Sequence, residues 1–218
     1  MNRVAIALIA VLLLSTTSTL AEVVSLSGRH QLGLKIGMWS QTNDTRTEIG
    51  LDGVETSVGN NGAFGGIFYS HWLQENLALT CFAGGMALDV STDAGLLGVN
   101  TETSTVGTLL MGLKYYFAPS TLNSKTRPYL RAAVGPFIGS QSNVRSSLEV
   151  VQEERTEYAA GGQLGAGIDF VTGRHFMMGL ELGYNLMSDF DRPIGGSSNY
   201  SGPEFGFDLA WLFGQGRN

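Results

Sequence analysis

From residue 30 onward, large apolar residues recur at every second position in several separate stretches. In the last of them Phe205, Phe207, Leu209, Trp211 and Phe213 alternate with Gly206, Asp208, Ala210 and Leu212. Near the start, Leu32, Leu34, Ile36 and Met38 alternate with Gly33, Lys35 and Gly37. A period of two belongs to a strand with two unlike faces. In a sheet that faces water, the second face would carry long charged side chains. Here it is mostly small, with an occasional charge, while the first face is continuously bulky. That combination suits a strand with hydrocarbon outside and a crowded interior.

Applied along the chain, the same rule predicts eight strands. They cover residues 30–39, 62–72, 77–90, 108–117, 127–139, 158–170, 178–185 and 205–213. In the fourth, Leu109, Met111, Leu113, Tyr115 and Phe117 oppose Thr108, Leu110, Gly112, Lys114 and Tyr116. The fifth sets Leu130, Ala132, Val134 and Ile138 against Arg131 and Gly135, with Pro136 marking an irregularity or an end. The sixth and seventh set Leu164, Ala166, Ile168 and Phe170 against Asp169, and Met178, Leu180, Leu182 and Tyr184 against Glu181. The second and third are ambiguous, because Phe64 and Phe68 share one face while Ile67 and Tyr69 share the other, and Cys81 adjoins Phe82.

Long polar connections, 43–61, 91–102, 140–157 and 188–200, follow the odd-numbered strands, and short turns near Gln74, Ser120 and Thr172 follow the even ones. Strict alternation places all long loops at one end and both termini at the other. The fold class is therefore all-β, an eight-stranded antiparallel up-and-down transmembrane β-barrel. A soluble ligand-binding barrel of eight strands would show an apolar interior and a polar exterior, and the assignable strands show the reverse.

The beginning of the chain agrees with this placement. Arg3 precedes an uncharged apolar run from Val4 to Leu14, and small residues lead to Ala21. This describes an export signal over residues 1–21, cleaved after Ala21, with a barrel domain over 22–218. The run is too short for a spanning helix of roughly 20 apolar residues. Without Arg3, the remaining 12 basic residues face 19 acidic ones, a formal charge of −7, which disfavours a nucleic-acid partner. Cys81 is the one cysteine, so neither a disulfide scaffold nor a thiolate metal cluster is expected. Glycine is frequent, 30 residues against 5 prolines, with no collagen-like repeat.

Signal, polar loops, glycine-rich alternating strands and the aromatic stripe of the last strand together resemble the small eight-stranded outer-membrane barrels of Gram-negative bacteria, of the opacity-like or porin-like type. The resemblance covers nearly all of the chain after residue 21 and implies location in the cell outer membrane, reached through the periplasm. It implies contact with outer-membrane lipid and lipopolysaccharide, and insertion by the barrel assembly machinery. In those families the chain usually ends on an aromatic residue read by that machinery. Phe213 occupies that position, but Gly214 to Asn218 follow it.

Six inward positions carry charge: Lys35, Lys114 and Arg131 against Asp169, Glu181 and Asp208. Charges in a narrow barrel need partners or water, so they describe either a packed polar plug or a gated, ion-selective passage, with Asp208 expected to pair with Lys35. Trp39, Trp72, Tyr115, Tyr184, Trp211 and Phe213 lie near strand ends, as an interfacial aromatic girdle would. Tyr116 lies near them, and Tyr129 would join them if it faced outward. No enzyme is indicated. Ser70 and His71 are neighbours on a strand and so point to opposite faces, and no Gly-x-Ser-x-Gly elbow occurs. No cofactor or metal is expected, since the acidic loops lack the spacing of a calcium-binding loop. Three readings remain: an envelope-structural barrel with solvated acidic loops, a narrow channel for small or amphipathic solutes, and an adhesin acting through its long loops.

Overall fold

The alternating stretches form one closed antiparallel barrel in which each strand pairs with its sequence neighbours and β1 closes on β8. A computed structural model describes residues 25–49, 55–95, 98–117, 125–146 and 150–216. The strands are β1 (His30–Ile49), β2 (Glu55–Gln74), β3 (Leu77–Gly95), β4 (Gly98–Tyr116), β5 (Thr126–Ser146), β6 (Val150–Val171), β7 (Phe176–Met187) and β8 (Gly202–Phe213). The export signal and its cleavage point at Ala21 lie outside the described residues.

The expected facing holds on β1, β4, β5, β6, β7 and β8. Leu32, Leu34, Ile36 and Met38 are more than half exposed, whereas Lys35 is buried. On β2 and β3 the structure settles the facing: Phe64, Phe68, Phe82 and Met86 point inward and Ile67, Tyr69 and Leu79 outward. Pro136 does not end β5. The β4–β5 register is the same on both sides of a gap at Leu109 and Leu110, so the proline interrupts the ladder locally.

Large inward side chains repeatedly lie opposite a glycine on the neighbouring strand. Phe68 pairs with Gly33 and Phe64 with Gly37; Tyr129 pairs with Gly167 and Arg131 with Gly165; Asp208 pairs with Gly179. A side chain on Gly33 or Gly37 would collide with the Phe68 or Phe64 ring that covers it. Eight strands leave just enough interior to be filled by side chains. The glycines set how that space is shared.

The three long polar connections expected between 43 and 157 are for the most part strand. β1 to β6 run for 19 to 22 residues, against 12 for β7 and β8. Crossing the hydrocarbon takes about 9–11 tilted residues, so three hairpins project well beyond it. Pairing of β2 with β3 stops at Ala63 and Ala87, of β6 with β7 at Gly161 and Met187, and of β8 with β1 at Glu204 and Trp39. Pairing of β4 with β5 continues to Val99 and Ser146. Above the rim, the wall thus divides into the β1–β2 hairpin and a four-stranded β3–β6 sheet.

The fourth connection is not a solvated loop either. Phe190, Ile194 and Tyr200 are buried in the mouth of the barrel, beside Trp39 and Phe137. Its tip is a tight turn in which Ile194 and Ser197 bridge, with Gly195 and Gly196 at φ 55° and 86°, a conformation that glycine adopts without penalty. It crosses the gap left by the short β7 and β8. On one side Ser188 N donates to Ala160 O at 2.8 Å, and on the other Thr42 N donates to Ser201 O at 3.1 Å. A Cβ on Gly139 would come within 2.8 Å of Ile194 Cγ1, so the lid needs glycine there.

Candidate functional site

The interior has three layers. Beneath the lid lies an apolar layer that includes Trp39, Phe64, Phe82, Met86, Leu110 and Phe137. At the opposite mouth a second apolar layer is formed by Leu26, Trp72, Ala78, Tyr116, Tyr129, Met177 and Leu212. Between them lies a layer of buried charge. All its acids stand on one stretch of wall, Asp169 on β6, Glu181 on β7, and Glu204 and Asp208 on β8. The bases stand to either side of it, Lys35 on β1, and Arg131 and Lys114 on β5 and β4.

Opposite charges therefore meet across the lumen. Lys35 Nζ donates to Glu181 Oε1 at 2.6 Å and to Glu204 Oε1 at 3.1 Å. Arg131 Nη1 donates to the same Glu181 oxygen at 3.2 Å, and the Tyr129 hydroxyl to Glu181 Oε2 at 2.8 Å. Lower down, Asp169 Oδ2 accepts from Lys114 Nζ at 2.9 Å and from the Tyr116 hydroxyl at 2.6 Å. Glu204 is also held by the amides of Gln163 and Asn185. Lys114 Nζ lies 3.7 Å from the centre of the Tyr129 ring, a cation–π contact that replaces part of the lost hydration. Dehydrating each ion costs several kcal/mol, and this density of charge-assisted bonds offsets it.

The structure brings all six expected lumen charges to the inner face. It also corrects one pairing: Lys35 and Asp208 are register partners, yet the ammonium bonds to Glu181 and Glu204. Among the described residues Asp208 forms no ion pair, and its Oδ1 has no hydrogen-bond partner. Glu204 joins the network from just ahead of the alternating run that begins at Phe205, and its parity with Gly206 and Asp208 marks it as inward. Gln163, Asn185 and the hydroxyls of Tyr116 and Tyr129 complete the network.

The expected girdle divides. Tyr115, Tyr184, Trp211 and Phe213 are exposed on the outer wall, with Tyr115 edge-on to Phe117 and Trp211 edge-on to Phe176. Trp39 and Trp72 instead point inward and are fully buried, Trp39 against Tyr200 under the lid and Trp72 stacked on Tyr116 at 4.4 Å. Tyr116 and Tyr129 are likewise inside. The parity of β1 and β2 decides this: Trp39 shares a face with Lys35, and Trp72 with Phe68.

Ser70 is buried on the inner face, whereas His71 stacks on His30 at 4.6 Å beside outward-facing Tyr69. The two side chains therefore form no nucleophile–base pair. Among the described residues no group of three or more His, Cys, Asp or Glu could hold a metal ion. The network is suited to holding the walls together and to excluding solute.

Charge differs between the two ends. In the sequence, the stretch 43–61 carries Asp44, Glu48, Asp52 and Glu55 against Arg46, and 88–102 carries Asp89, Asp93 and Glu102 with no base. Glu149, Glu153, Glu154 and Glu157 oppose Arg145 and Arg155, and Asp189 and Asp191 oppose Arg192. Among the described residues the other end carries Arg29, Lys125, Arg127 and Arg174 against Glu75.

Solved structures share this architecture. The attachment invasion locus protein Ail of Yersinia pestis superposes with a TM-score of 0.52 at 11% identity, covering 86% of this chain and 99% of its own. Ail in complex with the heparin analogue sucrose octasulfate gives 0.50 at 13% identity, over 84% and 99%. Neisserial surface protein A gives 0.50 at 12%, over 86% and 98%. At such identities the likeness is one of fold. No curated protein matches the sequence. Residues 7–213 match the family described as outer membrane protein beta-barrel domain, and the chain belongs to that family of outer-membrane β-barrels.

Proposed function

We propose that the protein is a sealed, non-enzymatic outer-membrane barrel that works at the cell surface, as an adhesin or host-interaction protein acting through its projecting hairpins. One observation carries this reading: β1 to β6 continue far beyond the span while the lumen below them is filled from Leu26 to Tyr200. A barrel whose only function was to conduct would not need the first feature and would be obstructed by the second. The proteins of similar fold support it, since one is an attachment invasion locus protein and another a surface protein. Their ligands do not carry over. Sucrose octasulfate is a polyanion, and the acidic excess of these hairpins repels it.

In this reading the signal is removed after Ala21. The assembly machinery reads the stripe that ends at Phe213, and the barrel rests among outer-membrane lipid and lipopolysaccharide. Shortening residues 43–61 and 140–157 tests the proposal. Cell binding should fall while heat-modifiable migration of the barrel persists. Unchanged binding by a correctly assembled barrel would reject the surface role and leave the envelope-structural one.

A further inference from the structure

Residues 25–29 do more than lead into β1. Arg29 N donates to Leu26 O at 2.9 Å, so the segment turns on itself, with Gly28 at φ 79°. Gly28 N donates to Trp72 O at 2.8 Å and Trp72 N to Arg29 O at 3.0 Å, extending the β1–β2 ladder below His30. The turn drives Leu26 into the mouth of the barrel, where it is fully buried against Trp72, Tyr116, Tyr129, Met177 and Leu212. Leu26 is the one member of that apolar layer that does not come from a strand of the wall. It can therefore leave without breaking a strand of the barrel.

Its attachment converges on Glu75, in the turn between β2 and β3. That carboxylate accepts from Leu26 N at 3.1 Å, from Ser27 N at 3.0 Å and from the Ser25 hydroxyl. Arg127 Nη1 lies 3.9 Å away. A second tie runs from Arg29 Nη2 to Arg174 O at 2.7 Å, in the turn between β6 and β7. Three donors within one short segment on a single carboxylate tie that segment to the β2–β3 turn. The wall itself, bonded strand to strand, does not need this tie.

We propose that residues 25–29 form a strap that closes the periplasmic mouth, with Glu75 as its latch. Release of the strap uncovers the lower apolar layer, with Trp72, Tyr116 and Tyr129 beside the Lys114–Asp169 pair, to periplasmic solutes. The lid of residues 188–201 keeps the outer mouth closed throughout. Access to the interior is thus one-sided. The ionised state of the latch supports this. Burial alone would push the Glu75 carboxyl up, but its bonds from Ser25, Ser27 and Leu26, with the nearby Arg127 charge, hold it below the usual carboxylate range.

The test uses the refolded full-length barrel with Cys81→Ser and Leu26→Cys, probed with a water-soluble maleimide and compared with a Lys125→Cys control on the exposed short-turn side. With Glu75 intact, position 26 should react far more slowly than position 125. Adding Glu75→Ala should raise its rate at least about tenfold, the scale of losing charge-assisted bonds, while the barrel remains heat-modifiable. Fast labelling of position 26 with Glu75 present would overturn the strap, and slow labelling in the folded Glu75→Ala barrel would overturn the latch. If Leu26→Cys does not fold, acrylamide quenching of Trp72 in a Trp39→Phe, Trp211→Phe background decides instead. Quenching should rise on Glu75→Ala, and unchanged quenching would overturn the proposal.

Discussion

Lys35 and Asp208 face each other across the closing β1–β8 seam, but the Lys35 ammonium turns away to Glu181 at 2.6 Å and Glu204 at 3.1 Å. The first strand is thereby tied to both of the last two. Lys35→Met would leave Glu204 with amide partners and Glu181 with Arg131, at a cost of about 3–5 kcal/mol for a broken buried pair. Asp208→Asn should change stability far less. Urea unfolding of the refolded barrel measures both, and a double-mutant cycle should couple Lys35 to Glu181 more strongly than to Asp208.

The lid rests on the bare backbone of Gly139. Gly139→Val places carbon where Ile194 and Phe190 now pack, so residues 188–201 should lift from the mouth at a cost of about 1–3 kcal/mol. Limited proteolysis should then cut within 188–201 much faster than in the parent, with the transmembrane part still protected. Equal protection would show that the lid is held elsewhere.

The latch predicts a pH dependence with a definite sign. Glu75 titrates lower in the folded protein than in the unfolded chain. Its stabilisation of the strap is therefore complete above the unfolded value, about 4.3, and is lost as pH falls through the lower folded value. Trp72 quenching should stay flat from pH 8 to pH 5 and rise only in stronger acid. A transition between pH 6 and 7 would assign control of the strap to another group.

A lumen closed by two apolar layers and a bonded charge layer should be electrically silent. Planar bilayers containing the purified barrel should show no reproducible open state, and a stable conductance step would refute the sealed reading. The acidic hairpins predict that the barrel passes through a heparin column unretained at low salt, where electrostatic attraction would be strongest.

Much of this architecture was written in the period of the chain. On β1, β4, β6, β7 and β8 the outer positions are bulky and apolar because they meet lipid. The inner ones are small or charged because eight strands enclose little space, so strand number, facing and the inward position of all six expected charges follow from alternation alone. β2 and β3 resisted the same reading because their inner faces carry Phe64, Phe68, Phe82 and Met86. Both faces are then apolar, and the side with room for the rings is set by glycines, Gly33 and Gly37 of β1 for Phe68 and Phe64, and Gly66 and Gly84 for Phe82. The projecting hairpins resisted it for the opposite reason: strands with water on both faces keep their ladders but lose the hydrophobic period. Tertiary structure alone decided which carboxylates Lys35 binds, since Glu181 lies 146 residues away on a strand that is not paired with β1. It also decided that Leu26 and Ile194, from segments outside the strands, fill the two mouths. Such contacts depend on how the wall curves and where glycines leave space, and no local pattern encodes either.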